Sequence, residues 1–443
     1  MLKVFCISYF CSMLKEKTFA LHTLGCKLNF SESSTISRQL KDVGFKETQA
    51  NSIADLFVIN TCSVTENANK ECERIIRKTK RKSPDSFIVV TGCFAQLKPE
   101  SISKIEGVDM VLGANEKFNL PNLLENIDQK TKIYGCELND LEYKSAFSIN
   151  ERTRSFLKIQ DGCDYTCTYC TIPLARGSSR CDTIKNIILN ANKIAKNGIK
   201  EIVITGVNIG EFEDPETKER FIKLIQKLEK VKDIERYRIS SIEPNLITDE
   251  IIEFVAQSKK FMPHFHIPMQ SGSDFILGKM RRRYQTKLYE EKIEKITKAI
   301  PDVSIGADVI VGFPGETKEY FEQTYNFIKQ LPLSYLHVFP YSERENTLAI
   351  SLDNKVKIEQ KNERSKKLRI LSKKLETRFS NQYLESIRKV LLERENKKGY
   401  LFGFTDNYIK VKIPFDKKYC ETKRLVKLSS MDESGIINGK IIT

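Results

Sequence analysis

Ser155–Leu174 reads SFLKIQDGCDYTCTYCTIPL: a short apolar run, an Asp-Gly turn, then three cysteines within eight residues, Cys163, Cys167 and Cys170. The run has strand character and the turn closes it. Soft thiolates select iron–sulfur, zinc or copper(I) sites, and four cysteines normally complete a four-iron cubane. Three thiolates this close would hold three irons and leave the fourth open to a small molecule. A zinc site completed by a further Cys or His is the competing reading.

Outward from that loop, the pattern of strand and amphipathic helix repeats from Phe156 to about Ser372. The strand-like runs are SFLKIQ, IKEIVITGVNIG, ERYRISSIEP, FMPHFHIPMQSGS, VSIGADVIVGFPGET and LSYLHVFPYS. Helical stretches such as NIILNANKIAKNG, RFIKLIQKLEKV and YEEKIEKITKAI lie between them. Six strands with intervening helices exceed a dinucleotide-binding half domain and suit a full or partial α/β barrel, whose chemistry belongs at the C-terminal strand ends.

Before this region, Lys17 to Cys136 shows the same alternation on a smaller scale, which predicts a parallel α/β domain. Cys26, Cys62 and Cys93 each follow a predicted strand, in TLGC, INTC and VTGC. Ligands bind at the carboxyl edge of open α/β sheets, so these cysteines can converge although they lie more than thirty residues apart. They read either as a second metal cluster or as three separate buried thiols. Cys6, Cys11, Cys72, Cys136, Cys181 and Cys420 show no such grouping, and Cys72 falls within a predicted helix as a packing residue.

Residues 141–155 read as a polar connector. After a charged helical stretch, KVKIEQKNERSKKLRILSKKLETRFSNQYL, short β-like pieces with glycine turns predict a C-terminal β-barrel of some seventy residues. It suits an RNA contact through Phe404, Tyr408, Lys410, Lys412 and Lys417, or a purely structural role. The expected domains are thus 17–140, 150–372 and 376–443.

The chain has 443 residues and a formal net charge of +15, which favours a polyanionic partner without identifying it. Twelve cysteines in so long a chain point to metal binding or catalysis rather than a disulfide scaffold. No apolar stretch approaches the roughly eighteen residues of a membrane span. The opening MLKVFCISYFCSMLKEK lacks a small-residue cleavage site and reads as an extra stretch ahead of the first strand, with Met13 as an alternative start. The expected location is cytoplasmic.

Together, CDYTCTYC, TLGCKLNFSES, NTCSVTENA, TGCFAQ, YCTIPLARG, ITGVNIG, HIPMQSGS and DVIVGFPGET resemble the radical S-adenosylmethionine methylthiotransferases, from Lys17 to nearly the end of the chain. The resemblance implies an N-terminal domain with a second 4Fe-4S cluster, a central partial (β/α)6 radical-SAM barrel and a C-terminal TRAM barrel. It also implies methylthiolation of tRNA or of a ribosomal protein. GCKLN at Gly25–Asn29 and GVNIG at Gly206–Gly210 resemble the subgroup acting on N6-threonylcarbamoyladenosine at tRNA position 37. Isopentenyladenosine in tRNA and a ribosomal protein are the alternative substrates, and a non-catalytic metal-containing RNA-binding protein is the remote one.

On that resemblance, Cys163, Cys167 and Cys170 hold the cluster that binds S-adenosylmethionine, whose cleavage gives a deoxyadenosyl radical. Cys26, Cys62 and Cys93 hold the cluster that presents sulfur. Tyr169 packs beside the first cluster. Gly206, Asn208, Ser240, Glu243, His266 and Gln270 are candidate cofactor contacts, with Ser241 beside them. Arg176 is a candidate contact for a substrate carboxylate or phosphate, and Arg281, Arg282 and Arg283 are candidate substrate contacts. The partners implied are a tRNA anticodon stem-loop, a reduced flavodoxin- or ferredoxin-type electron donor and a sulfur donor. Nothing in the sequence requires a second copy, so the chain is read as a monomer. VGFPGE at Val311–Glu316 is glycine-rich but lacks the lysine and hydroxyl of a phosphate-binding loop.

Overall fold

The computed structural model describes residues 17–63, 65–125, 133–138, 141–149 and 152–442. The N-terminal stretch with Cys6 and Cys11 lies outside them. No helix among the described residues is long and apolar enough to cross a membrane.

The first sheet comprises β1 (Thr18–Thr23), β2 (Lys46–Glu47), β3 (Leu56–Thr61), β4 (Phe87–Gly92), β5 (Met110–Leu112) and β6 (Ile133–Tyr134). All are parallel, in the order β2-β1-β3-β4-β5-β6. β3 is buried along its whole length, as an apolar run covered on both faces by helices must be. Each such Val, Ile or Leu contributes about 1.5–3 kcal/mol over its exposed state. The helix Glu66–Lys82 starts at Thr65, whose side chain accepts from the Ala68 amide, and it packs Cys72 and Ile76 inward.

The second unit carries six parallel strands: β7 (Arg154–Lys158), then, beyond the small pair β8 (Gln160–Asp161) and β9 (Arg180–Cys181), β10 (Glu201–Thr205), β11 (Arg236–Ile239), β12 (His264–His266), β13 (Ser304–Val311) and β14 (Tyr335–Pro340). They form two runs, β7-β10-β11 and β12-β13-β14. Parallel bridges Tyr237↔Phe261 and Ser241↔His266 join β11 to β12. β7 and β14 end the two runs and do not pair with each other, so the barrel is partial rather than full. Helices cover its outside, and the long helix Ile358–Asn381 seals β14 with Leu368, Leu371 and Leu375 in the core.

The N-terminal unit occupies the gap between those two strands. On the β7 side, the Arg38 guanidinium donates to the Phe147 carbonyl at 2.8 Å, and Arg152 lies over the Phe30 ring at 4.2 Å. On the β14 side, Arg344 donates to Ser63 at 2.8 Å and the Glu66 amide to Ser342 at 3.2 Å. The described part of 141–155 is therefore not a loose connector. Phe147 bridges Leu157 in antiparallel fashion, and the Tyr143 hydroxyl donates to the Lys158 carbonyl at 2.8 Å. Its polar sequence reflects pairing of backbone and side chains across the junction rather than solvation.

The last unit is a closed barrel of β15 (Ile387–Lys397), β16 (Tyr400–Thr405), β17 (Lys410–Pro414), β18 (Lys423–Met431) and β19 (Ile437–Ile441), in the order β15-β16-β17-β19-β18. Its β16–β17 turn plugs the N-terminal end of the partial barrel. Arg238 donates to the Thr405 and Asp406 carbonyls at 2.7 and 2.9 Å, and Arg236 to Phe404 at 3.2 Å. Glu201, 2.9 Å from Arg238, balances the charge. The Tyr408 ring lies 4.3 Å from that of His264, tilted by 35°, with Arg238 4.9 Å over it, and Arg154 lies 4.7 Å over Phe404. Phe404 and Tyr408, read from the sequence as RNA-stacking rings, are thus engaged inside the chain, where desolvated guanidinium–ring contacts hold the plug.

Candidate active site: two cysteine triads joined by a buried ion pair

Cys163, Cys167 and Cys170 lie in the loop after β8, ahead of the short helix Ile172–Arg176. The Tyr165 amide donates to the Cys163 sulfur and the Ile172 amide to the Cys170 sulfur, both at 3.4 Å. The Arg282 guanidinium donates to the Cys167 sulfur at 3.2 Å and to the Tyr169 hydroxyl at 3.3 Å, and it also pairs with Glu243. Burial pushes the Cys163 and Cys170 thiols up to about 12 and raises that of Cys167. Such thiols are poor nucleophiles on their own. Metal coordination deprotonates a thiol outright, and donors already aimed at the sulfurs then stabilise the bound thiolates. The residues therefore fit a cluster.

The second triad forms where the sheet order predicts. β1, β3 and β4 are neighbours, and their C-terminal ends carry Cys26, Cys62 and Cys93. Adjacent strands lie roughly 4.8 Å apart, so cysteines remote in sequence share one edge. Gly25 makes this approach possible. It holds φ +97°, and a Cβ there would stand 2.8 Å from the Cys62 Cβ, a conformation and a space that favour glycine. Cys72 sits behind the triad, its sulfur 3.7 Å from the Cys62 carbonyl, and burial pushes its thiol up to about 12. It packs rather than ligates.

A buried charge cluster joins the two triads. Arg176, six residues beyond Cys170, donates to Glu32 at 3.0 and 3.3 Å, to Asp161 at 2.9 Å and to Asn29 at 2.7 Å. Lys117 and Lys158 also pair with Glu32, at 2.7 and 3.3 Å. Burial alone would push the Glu32 carboxyl up, but Arg176, Lys117 and Lys158 hold it well below the usual carboxylate range. Arg176, read from the sequence as a substrate contact, is 3% exposed and spends its guanidinium on this junction. Its electrostatic neighbours include Cys93 and Cys26.

The strand ends around the first triad supply polar groups without partners. Both side-chain atoms of Asn208 and the Ser240 hydroxyl are buried and lack hydrogen-bond partners among the described residues. Buried polar groups are normally satisfied, so these orphans fit a polar ligand such as S-adenosylmethionine. Gln160 shapes their loop. Its side-chain oxygen accepts from the Val207 and Asn208 amides at 2.8 and 2.9 Å. A Cβ on Gly206 would lie 2.9 Å from that same oxygen, so the close approach requires glycine. The Gln270 amide donates to the Asp308 carbonyl at 2.8 Å, which ties its loop to β13. Ser241 bridges His266 through the backbone. Tyr169 meets Phe313 edge-on at 6.3 Å.

The arginine run divides. Arg282 serves the first triad, Arg283 lies 3.9 Å over the Tyr165 ring, and Arg281 is exposed. In the C-terminal barrel Lys410 is exposed over Phe402, Lys412 pairs with Asp432, and Lys417 is exposed.

On the wall of β12–β14 the structure brings His266, a candidate cofactor contact from the sequence, together with Asp308, His337 and Tyr335, which the sequence reading left unassigned. His266 Nε2 is 2.9 Å and His337 Nδ1 3.2 Å from the same Asp308 oxygen. His266 Nδ1 lies 3.3 Å from the Tyr335 hydroxyl. Burial would raise the Asp308 carboxyl, but the two imidazoles hold it far below its ordinary value. The alternation on β14, where Leu336 and Val338 are buried while His337 and Phe339 are exposed, marks the face turned from the helices to the lumen. A period of two carries that information, and it could have been read from LHVF.

Comparison with known proteins agrees with this geometry. A family described as uncharacterized protein family UPF0004 matches residues 18–113, and the radical SAM superfamily matches residues 157–328. The threonylcarbamoyladenosine tRNA methylthiotransferase MtaB of Bacillus subtilis is 40% identical over 404 residues, covering 89% of this chain and 90% of the relative. Its namesake from Rickettsia prowazekii is 37% identical over 394 residues, covering 88% and 90%. The tRNA-2-methylthio-N(6)-dimethylallyladenosine synthase of Clostridium tetani is 34% identical over 405 residues, covering 88% and 89%. Among solved structures, the radical S-adenosylmethionine methyltransferase TsrM from Kitasatospora setae superposes with a TM-score of 0.54 over 74% of this chain and 75% of that one. At 14% identity that likeness speaks for the fold alone. With two cysteine triads joined through the buried Arg176–Glu32 pair and relatives matching along most of the chain, the protein belongs to the radical S-adenosylmethionine methylthiotransferases.

Proposed function

We propose that this enzyme converts N6-threonylcarbamoyladenosine at position 37 of tRNA into its 2-methylthio derivative. The observation that carries the chemistry is the buried Arg176–Glu32 junction that couples the units bearing the two cysteine triads. The support for the base is the 40% identity to the Bacillus subtilis MtaB, against 34% to the Clostridium tetani dimethylallyladenosine synthase, together with GCKLN at Gly25–Asn29.

Cys163, Cys167 and Cys170 would hold one [4Fe–4S] cluster with S-adenosylmethionine beside Asn208 and Ser240, and Cys26, Cys62 and Cys93 would hold the other. When bound, these groups supply a radical able to take hydrogen from an unactivated carbon and a source of sulfur and methyl for that carbon. The protein contributes position and exclusion of water. Arg282 and the backbone amides at the first triad stabilise thiolate charge. The Thr405–Tyr408 plug closes the N-terminal strand ends, and the N-terminal unit covers the open side, so the base enters from the C-terminal strand ends.

The C-terminal barrel offers Lys410 and Lys417 to the anticodon stem-loop, and the net charge of +15 favours that encounter. A flavodoxin- or ferredoxin-type protein supplies electrons, a separate donor supplies sulfur, and the reaction takes place in the cytoplasm. The test is anaerobic reconstitution with iron, sulfide, reductant and S-adenosylmethionine, then mass analysis of nucleosides from tRNAs carrying either modified adenosine. A methylthio product on the threonylcarbamoyl base supports the proposal. A product confined to the isopentenyl base moves the enzyme to the other subgroup, and unchanged tRNA from enzyme with both clusters points to a ribosomal protein.

A further inference from the structure

Strand register gathers five polar side chains on one face of the β12–β14 wall. His266 pairs with Gly306, Gly306 with Tyr335, and Asp308 with His337. Residues two apart along a strand share a face, so His264, His266, Asp308, Tyr335 and His337 project together. Gly306 leaves the space in their midst. A Cβ there would stand 2.1 Å from the Tyr335 ring, so the glycine lets the Tyr335 hydroxyl reach both histidines of β12, at 2.9 and 3.3 Å.

Three of these groups converge. His266 Nε2 is 2.9 Å and His337 Nδ1 3.2 Å from the same Asp308 oxygen, and the three atoms all lie within 4.8 Å of one another. Two ligands bound to a cation at about 2.1 Å stand about 3.0 Å apart at a right angle and about 3.4 Å apart at the tetrahedral angle. The observed separations are close to that spacing. The donor set agrees with it, because two imidazoles and one carboxylate are a recurrent ligand set that leaves further coordination positions open.

The surroundings add two observations. A ligating histidine normally donates its other ring N–H to a partner that fixes the tautomer. His266 has one, since its Nδ1 lies 3.3 Å from the Tyr335 hydroxyl, which can accept that N–H and so leave Nε2 bare for a cation. Side-chain exposure also rises across the set, from 8% at His266 through 22% at Asp308 to 54% at His337. The cluster is closed at its back and open at its front, where water or an oxygen of a bound molecule can complete the coordination.

We propose that His266, Asp308 and His337 bind one divalent first-row transition cation. The set shares no residue with either cysteine triad. It offers nitrogen and oxygen where the triads offer sulfur, so it takes an ion of its own after both triads hold their clusters.

The test uses the full chain with both clusters loaded and oxidised, a state in which they are silent in electron paramagnetic resonance. Manganese(II) is titrated in and the signal of the free ion is followed. One ion should bind per chain, with spin-echo modulation from imidazole nitrogen, and zinc should displace it, since zinc binds such sites more tightly. His337→Phe, altered at the exposed end of the set, should lose the nitrogen-modulated site and keep the iron content and reduced-cluster spectra of the wild type. Asp308→Asn should lose it too, and Tyr335→Phe should weaken manganese about 10- to 100-fold. Should Asp308→Asn fail to hold its iron, His337→Phe decides alone. The proposal is overturned if no ion binds at millimolar manganese, which leaves a hydrogen-bonded triad only. It is also overturned if the bound ion shows no nitrogen modulation, the mark of surface carboxylates, or if His337→Phe binds as the wild type does.

Discussion

Glu32 and Arg176, 144 residues apart in sequence, meet at 3.0 and 3.3 Å at the junction of the two cluster-bearing units. Asp161, Asn29, Lys117 and Lys158 complete the group around them. Removing one partner of a buried pair leaves an uncompensated charge and costs about 3–5 kcal/mol. Glu32→Gln should therefore lower the unfolding free energy by that order, seen as a lower midpoint of anaerobic denaturant unfolding, and lower the iron retained at Cys26, Cys62 and Cys93. An unchanged midpoint would show that the cluster is not held this way.

The same group sets an acid limit. Arg176, Lys117 and Lys158 hold Glu32 well below its ordinary pKa, and Lys158 and Arg176 do the same for Asp161. A depressed folded-state pKa contributes stability that is complete above the unfolded value of about 4 and is lost as pH falls toward the folded one. The contribution of Glu32 and Asp161 to the unfolding free energy should thus be flat from pH 7 to about 5 and decline below about 4. Glu32→Gln should make that decline shallower. A variant with the wild-type slope would remove Glu32 from this account.

Arg282→Lys keeps a positive charge but not the planar fork that reaches Cys167 and Tyr169 at 3.2 and 3.3 Å while pairing with Glu243. Partners of metal ligands commonly affect activity by about 10- to 100-fold. Reductive cleavage of S-adenosylmethionine should fall by that factor, with a shifted resonance spectrum for the first cluster. Wild-type cleavage with an unshifted spectrum would count against the contact.

Cys72 and Cys62 offer a paired control. Cys72→Ala should keep full iron, because its sulfur faces the Cys62 carbonyl from behind the triad. Cys62→Ala should lose about half the iron while the cleavage of S-adenosylmethionine continues and methylthio product disappears. Iron loss in the Cys72 variant would require a different ligand set.

In the C-terminal barrel, Lys410 is exposed over the Phe402 ring, whereas Lys412 is tied to Asp432. Lys410→Ala should reduce the slope of log K against log salt for stem-loop binding by about 1. Lys412→Ala should change it less. Equal slopes in wild type and the Lys410 variant would place the RNA elsewhere.

Both cysteine triads were legible in the sequence, for different reasons. The first declares itself by local spacing, and the second by three strand ends in a parallel sheet whose neighbours follow from topology. The repeating strand–helix pattern likewise gave the central unit, although only the lack of pairing between β7 and β14 shows that the barrel is partial. Arg176 was misread because its partner lies in another unit, and sequence distance hides an ion pair. Phe404 and Tyr408 were misread for a similar reason, since aromatics in a small barrel look the same whether they meet RNA or a neighbouring unit. Asp308 and His337 occupy matching positions on adjacent strands, a relation that exists only once the register is known. Gln160, which shapes the Gly206–Asn208 turn, carries no sequence signal beyond its place at a strand end.

The position of Arg176 gives the molecule a gauge length. Cys170 and Arg176 share one short loop and helix, Glu32 and Cys26 share one helix start, and the ion pair welds the two spans end to end. The spacing between the two cysteine triads is thereby written into a handful of side chains rather than into the hinge between units. Exchanging N-terminal units among relatives should preserve that spacing wherever the acidic and basic ends match, and spoil it wherever they do not.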